Sequence, residues 1–125
     1  MMSKLIFFVD DDKMMLNLLE YTLKNRQDYE IRTFLNGQEC LENLGANPDM
    51  IVLDLKFSEN GKENMNGLDI LKKIKKENEK FPVVILSNHE DEKLRKELEE
   101  NGAFRFIAKN DYFIDTIMEL IDNEI

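Results

Sequence analysis

Short apolar runs and longer amphipathic stretches alternate along the whole chain of 125 residues. Leu5–Val9, Met50–Leu53 and Val83–Leu86 are continuous apolar runs, which is typical of strands covered on both faces of a parallel sheet. Tyr29–Phe34 alternates more and predicts an edge strand, and Phe104–Ala108 predicts the fifth strand. In that fifth strand, period-two alternation predicts one face with Phe104, Phe106 and Ala108, and another with Arg105 and Ile107.

The intervening stretches predict five helices, at residues 13–26, 37–45, 67–78, 90–101 and 111–124. Asn36 suits an N-cap of the second helix, and Asn101-Gly102 is a stop signal for the fourth. Strict alternation of five strands and five helices predicts a single α/β domain over 1–125. Its parallel sheet has helices on both faces and right-handed crossovers.

Composition limits the classes of function. The lone Cys40 excludes an internal disulfide and fits a reducing compartment, where we expect it as a half-buried residue on a helix. No apolar stretch approaches the ~20 residues of a membrane span, and the amino-terminal run resembles a strand rather than a signal peptide. We therefore expect a cytoplasmic protein that does not contact membranes. The net charge of −9 argues against direct nucleic-acid binding, which relies on Lys and Arg neutralising phosphates.

Chemically useful residues follow four of the five predicted strands. Asp10-Asp11-Asp12 follows the first, Asp54 ends the third, Ser87 ends the fourth and Lys109 ends the fifth. Parallel sheets of this kind bind ligands at the carboxyl ends of their strands. The topology therefore predicts that these side chains converge at one edge.

The residue types favour phosphoryl chemistry, although each has a simpler interpretation. Asp12 is expected to cap a helix, and for the acidic run by itself capping and metal binding are equally good interpretations. With Asp10 and Asp11, Asp54 completes an acidic pocket suited to Mg²⁺, and a carboxylate can attack a phosphoryl group. Ser87 and Lys109 would donate to two of the phosphoryl oxygens.

With these motifs in order, the chain resembles the CheY-like receiver domains of response regulators in two-component signalling. The matching segments are FFVDDD (7–12), MIVLDL (50–55), NGLDIL (66–71), PVVILSN (82–88) and GAFRFIAK (102–109). The resemblance implies a flavodoxin-like strand order of 2-1-3-4-5 and a phosphoacceptor at Asp54. It also implies a switch hydroxyl at Ser87, a phosphoryl-pairing lysine at Lys109 and an aromatic switch position at Phe106.

The resemblance further implies a cofactor and partners. Mg²⁺ would be held by Asp10, Asp11 and Asp54, with the backbone carbonyl of Lys56 as a further ligand. The phosphodonor would be a histidine kinase or phosphotransfer protein. Since no effector region follows residue 125, we expect the output to be a contact with a downstream protein through the face formed by residues 90–124. A homodimer formed through the same face is a further expectation.

Several positions depart from the family pattern. Asn110 replaces the usual proline, Asn88 replaces a small residue, and the segment 56–66 is longer than usual. Lys56 and His89 stand where the family's hydrolytic water approaches, which predicts an influence on dephosphorylation. For His89, a solvated loop histidine is an equally good interpretation.

Three functions follow from these features. The first is a phosphorylation-controlled switch that turns over no external substrate. The second is a phosphorylation-independent interaction domain, or pseudo-receiver, which keeps the pocket for stability and is left open by the departures at Asn88, Asn110 and the segment 56–66. The third, an unrelated Mg²⁺ phosphohydrolase, is disfavoured because Leu55 and Lys56 follow Asp54 where such enzymes usually need a second acid.

Overall fold

The computed structural model describes residues 4–24, 26, 28–55, 67–87, 92–110 and 112–124. The strands are β1 (Lys4–Val9), β2 (Tyr29–Phe34), β3 (Met50–Leu55), β4 (Val83–Ser87) and β5 (Arg105–Ala108). The helices are α1 (Lys13–Leu23), α2 (Gly37–Glu42), α3 (Gly67–Glu77), α4 (Glu92–Glu100) and α5 (Phe113–Glu124), with a 3₁₀ turn at Leu44–Ala46. The described residues therefore confirm the predicted alternation.

All four strand pairs are parallel, and the order across the sheet is β2-β1-β3-β4-β5. This confirms the flavodoxin-like 2-1-3-4-5 arrangement and the edge position of β2. Asp54 pairs with Leu86, and Ser87 pairs with both Leu55 and Ala108. The register thus places the functional ends of β3, β4 and β5 side by side.

The sheet separates two hydrophobic clusters. Along β1, Ile6 and Phe8 face one cluster, whereas Phe7 and Val9 face the other. The first cluster includes buried residues of α1 and α5, and the second includes buried residues of α2, α3 and α4. Both faces of the inner strands are therefore covered, which explains their lack of polar alternation.

Side-chain and backbone hydrogen bonds fix the helix ends near the sheet. The Asp12 carboxylate accepts from the backbone N–H groups of Met14 and Met15, and Asn36 Oδ1 accepts from Glu39 at 2.9 Å. Both predicted caps are confirmed. At the end of α4, Gly102 adopts a φ of 97°, and its N–H donates to the Glu99 carbonyl at 3.0 Å. The predicted stop signal is thus confirmed as a left-handed C-terminal turn.

Some predicted boundaries were wrong. The first helix ends at Leu23 rather than 26, because Leu23 is its last buried residue and Arg26 turns away to pair with Asp28. The second ends at Glu42, where the chain tightens into the 3₁₀ turn instead of continuing to 45.

Two predicted environments also need correction. Phe104 precedes β5 and packs with the α1 and α5 cluster, whereas Phe106 packs with the other cluster, so the two rings do not share a face. Strand alternation does not extend to a residue outside the strand. Cys40 is fully buried rather than half-buried, and burial raises the pKa of its thiol to about 12. Among the described residues, no helix has the length and apolarity needed to cross a bilayer.

Candidate functional site

Asp10 is a buried carboxylate held at the end of β1. Its backbone N–H donates to the Phe34 carbonyl at 3.0 Å, and its Oδ1 accepts from the Asp12 N–H at 2.9 Å. The side chain is 4% exposed. These bonds fix the carboxylate at the turn into α1, where it faces the neighbouring strand β3.

Asp54 and Lys109 meet Asp10 inside the same pocket. Lys109 Nζ donates to Asp54 Oδ2 at 2.9 Å and lies 3.5 Å from Asp10 Oδ2. The side chains of Asp54 and Lys109 are 3% and 10% exposed. Strands β1 and β3 are neighbours, and β4 lies between β3 and β5. The long Lys109 side chain therefore reaches across β4. The predicted convergence of these three residues is observed.

Burial and neighbouring charges act together on Asp54. Desolvation is the main reason that the pKa of Asp54 is raised to about 6, and the nearby Asp10 carboxylate raises it further against the lowering effect of Lys109. Among the residues that the structure describes, the Asp10 and Asp54 carboxylates both contact the Lys109 ammonium group, away from bulk water. A carboxyl group with this pKa is mainly ionised at neutral pH and is therefore available as a nucleophile.

The other predicted site residues lie around this pocket or outside the described residues. Ser87 is half-buried at the end of β4, and its carbonyl accepts from the Lys109 N–H at 3.0 Å. Asp11 lies beside Asp10 in the β1–α1 turn and is exposed. Lys56, Asn88 and His89 lie outside the described residues, as does the segment 56–66.

A divalent cation fits the chemistry of this pocket. Within the described residues, no group of three His, Cys, Asp or Glu side chains is arranged to hold a metal ion. However, Mg²⁺ keeps several of its waters and is commonly bound through one or two carboxylates. The buried Asp10 and Asp54 carboxylates have the hard oxygen atoms that such a cation prefers.

Two features near the site were missed by the sequence-based reasoning. The Arg95 guanidinium lies 4.9 Å from the ring centroid of Phe106, which joins α4 to the predicted switch position. Asn110, noted beforehand only as a departure from proline, makes hydrogen bonds through its backbone and side chain. No sequence pattern indicates the Arg95 contact, whereas an asparagine just before a predicted helix is a recognisable turn signal.

Comparison with known families decides the identity of the domain. The family model described as the response regulator receiver domain matches residues 6–121. The chain belongs to this family. It is a receiver domain of two-component signalling, and receiver domains partner with histidine kinases and phosphotransferases.

Similar proteins include both long and short relatives. A protein-glutamate methylesterase/protein-glutamine glutaminase of Treponema denticola is 38% identical over 108 residues, covering 83% of this chain and 28% of that protein. The sporulation initiation phosphotransferase F of Bacillus subtilis is 30% identical over 122 residues, covering 97% of this chain and 93% of that protein. The receiver domain thus spans less than a third of the first relative's length.

Solved structures show the same fold. The phosphorylated cyanobacterial phytochrome response regulator RcpA is 26% identical and superimposes with a TM-score of 0.81, covering 98% of this chain and 96% of that one. The likeness extends over nearly the full length of both chains.

Proposed function

We propose that this receiver domain is phosphorylated on Asp54 in an Mg²⁺-dependent reaction and signals through a changed protein-binding face. The main support is the buried contact between Lys109 and Asp54, beside the Asp10 carboxylate. We assign residues 1–125 to the receiver unit, which extends somewhat beyond the residues 6–121 matched by the family model.

In the proposed reaction, one carboxylate oxygen of Asp54 forms a bond to phosphorus. The bond from phosphorus to the donor breaks at the same centre, and the departing acetate or histidine nitrogen keeps the electron pair. Lys109 neutralises one phosphoryl oxygen and Ser87 donates to another. Mg²⁺, bound through Asp10, Asp11, Asp54 and the Lys56 carbonyl, would supply further charge neutralisation.

Exposed apolar side chains support a protein as the phosphodonor. Met14, Leu18 and Tyr21 are 81%, 48% and 70% exposed and recur at helical spacing on α1. This stripe begins two residues after Asp12, and the exposed Tyr112 stands just before α5, three residues after Lys109. An apolar surface that begins at the rim of the pocket favours docking of a protein rather than a small molecule.

The opposite side of the pocket provides the proposed output. The described residues 92–100 of α4 bury just Leu98, whereas α5 anchors Phe113, Ile117 and Ile121 in the core. Weakly anchored elements are the ones that move in switches. We assign α4, β5 and α5 to a downstream protein target, with inward movement of Ser87 and Phe106 as the coupling. A second copy of the chain on this face is the competing occupant.

The first test is intact-mass spectrometry after incubation with acetyl phosphate, with and without Mg²⁺. We expect one phosphoryl adduct on the wild-type chain, dependent on Mg²⁺, and none on the Asp54→Asn variant. A parallel arm uses a phosphohistidine protein as donor, with Leu18→Ala as a docking variant. Leu18→Ala is expected to slow transfer from the protein and leave the acetyl phosphate reaction unchanged. If neither donor labels Asp54, the phosphorylation-independent interaction domain becomes the better explanation.

A further inference from the structure

A three-residue turn presents Lys109 to the pocket. The Lys109 N–H donates to the Ser87 carbonyl, and the Asn110 N–H reaches back to the Ala108 carbonyl, both at 3.0 Å. Among the described non-glycine residues, Asn47 alone has a positive φ, so Lys109 has a negative φ. The turn centred on Lys109 is therefore an inverse γ-turn, a form common at strand ends.

The Asn110 side chain joins this turn to α5. The Asn110 Oδ1 accepts from the Tyr112 N–H at 2.9 Å. The backbone carbonyl of Asn110 accepts from the Phe113 N–H at 3.2 Å. Phe113 is buried, and so are Ile117 and Ile121 further along the helix. The backbone of Lys109 is thus fixed on one side by β4 and on the other by a helix anchored in the core.

We propose that Asn110 is the positioning residue for Lys109, acting through its backbone N–H and its side-chain carbonyl. Lys109 reaches Asp54 through a flexible four-carbon stem. Fixing the root of that stem restricts where the ammonium group can lie when charge develops on a transferring phosphoryl group. This inference rests on the proposed phosphorylation of Asp54.

Proline at this position would remove both hydrogen bonds that Asn110 makes within the turn. Proline has no N–H, so it cannot donate to the Ala108 carbonyl, and it lacks the acceptor for the Tyr112 N–H. Replacing Asn110 by the residue usual in the family should therefore impair this chain rather than improve it.

The test compares Asn110→Ala, Asn110→Pro and Asn110→Ser with Asn36→Ala. Serine retains a weaker acceptor for the N–H two residues ahead. Asn36 is a matched control because its Oδ1 caps α2 at the same edge of the sheet without contacting the Lys109 turn. The readouts are the maximal rate of phosphorylation at saturating acetyl phosphate and Mg²⁺, and the half-saturating acetyl phosphate concentration.

We expect Asn110→Ala to lower the maximal rate roughly tenfold, and Asn110→Pro at least as much, with little change in the half-saturating concentration. Asn110→Ser should stay within about threefold of wild type, since serine keeps an acceptor for the Tyr112 N–H, and Asn36→Ala within about twofold, since it leaves the Asn110 side chain in place. A proline variant as fast as wild type, or equal losses in Asn110→Ala and Asn36→Ala, would overturn the proposal. If the proline variant does not fold, the alanine and serine variants decide the question.

A second readout does not depend on phosphorylation. Amide hydrogen exchange at Asn110 and Tyr112 should become at least about tenfold faster in Asn110→Ala, because the turn loses its side-chain link to the start of α5 and keeps only the backbone bond to Phe113. Unchanged exchange at both amides would contradict the positioning role even in an active protein. If the wild-type chain accepts no phosphoryl group, the proposed function fails, while the exchange measurement still decides whether Asn110 holds the turn.

Discussion

The two ends of the sheet handle charge in opposite ways. At the carboxyl end, Asp10 and Asp54 share Lys109 in a pocket where all three side chains are at most 10% exposed. At the amino end, Arg26 pairs with Asp28 and Asp122 at the surface and lies over the Tyr29 ring. Each end sets one cation against two carboxylates, but the carboxyl end keeps these groups out of water and the amino end leaves them in contact with it. This difference separates the end available for chemistry from the end that supports the fold.

Removing the lysine should have the largest effect. We expect Lys109→Met to lower the free energy of unfolding at pH 7 by about 3 kcal/mol, because it leaves two buried carboxylates without their cation. Urea denaturation measures the change. Part of the lost stability should be regained at pH 5, where Asp54 can take up a proton.

Arg26→Met at the amino end is the matched control. Its partners Asp28 and Asp122 remain hydrated, so we expect little change in the denaturation midpoint. The Lys109 replacement should also cost less in an Asp54→Asn background, since one of the two carboxylates is then absent. Equal losses from Lys109→Met and Arg26→Met would remove the distinction between the two ends.

The second effect concerns how the ionisation of Asp54 changes the free energy of unfolding with pH. Its folded pKa of about 6 lies above the ~3.9 of an unfolded aspartate, so ionisation of Asp54 opposes folding at neutral pH. In the absence of divalent cations, Asp54→Asn should therefore raise the free energy of unfolding by up to about 3 kcal/mol at pH 7.

This gain should shrink as the pH falls from 7 towards 5, because the wild-type carboxyl then becomes protonated in the folded state. Thermal or urea denaturation across this range checks both the size and the sign. A gain that grows on acidification would show that Lys109 lowers the pKa of Asp54 more than burial raises it.

The contrast also explains what the sequence could predict. The parallel sheet and the convergence of Asp10, Asp54 and Lys109 follow from apolar runs that end in polar residues, whereas the strand order was implied by the family resemblance. Lys56 belonged to the same predicted site but lies outside the described residues. Residue type and position along the strands were therefore sufficient to find the pocket centre.

Features that depend on local backbone geometry were not predictable in the same way. Phe104 faces a different cluster from Phe106 because it precedes the strand, and the hydrogen bonds of Asn110 depend on how the chain leaves β5. Likewise, the contact of Arg95 with Phe106 joins residues of two separate elements. Such contacts are set by packing that leaves no periodic signal in the sequence.

Apart from the Arg26→Met control, the smallest effect is expected in Tyr29→Phe, also at the amino end. The Tyr29 hydroxyl donates to Asp122 and accepts from Arg26, and its loss should cost about 1 kcal/mol because Asp122 can still bind water. Burial and the Asp122 carboxylate raise the pKa of Tyr29 to about 12, above the ~10 of an unfolded tyrosine. Between these two pH values the unfolded state loses its proton first, so the wild-type chain should lose stability through this hydroxyl as the pH rises. In urea denaturation from pH 9 to 11, the free energy of unfolding should decline less steeply for Tyr29→Phe than for the wild type. An identical decline would mean that the Tyr29 hydroxyl does not titrate differently in the folded and unfolded states.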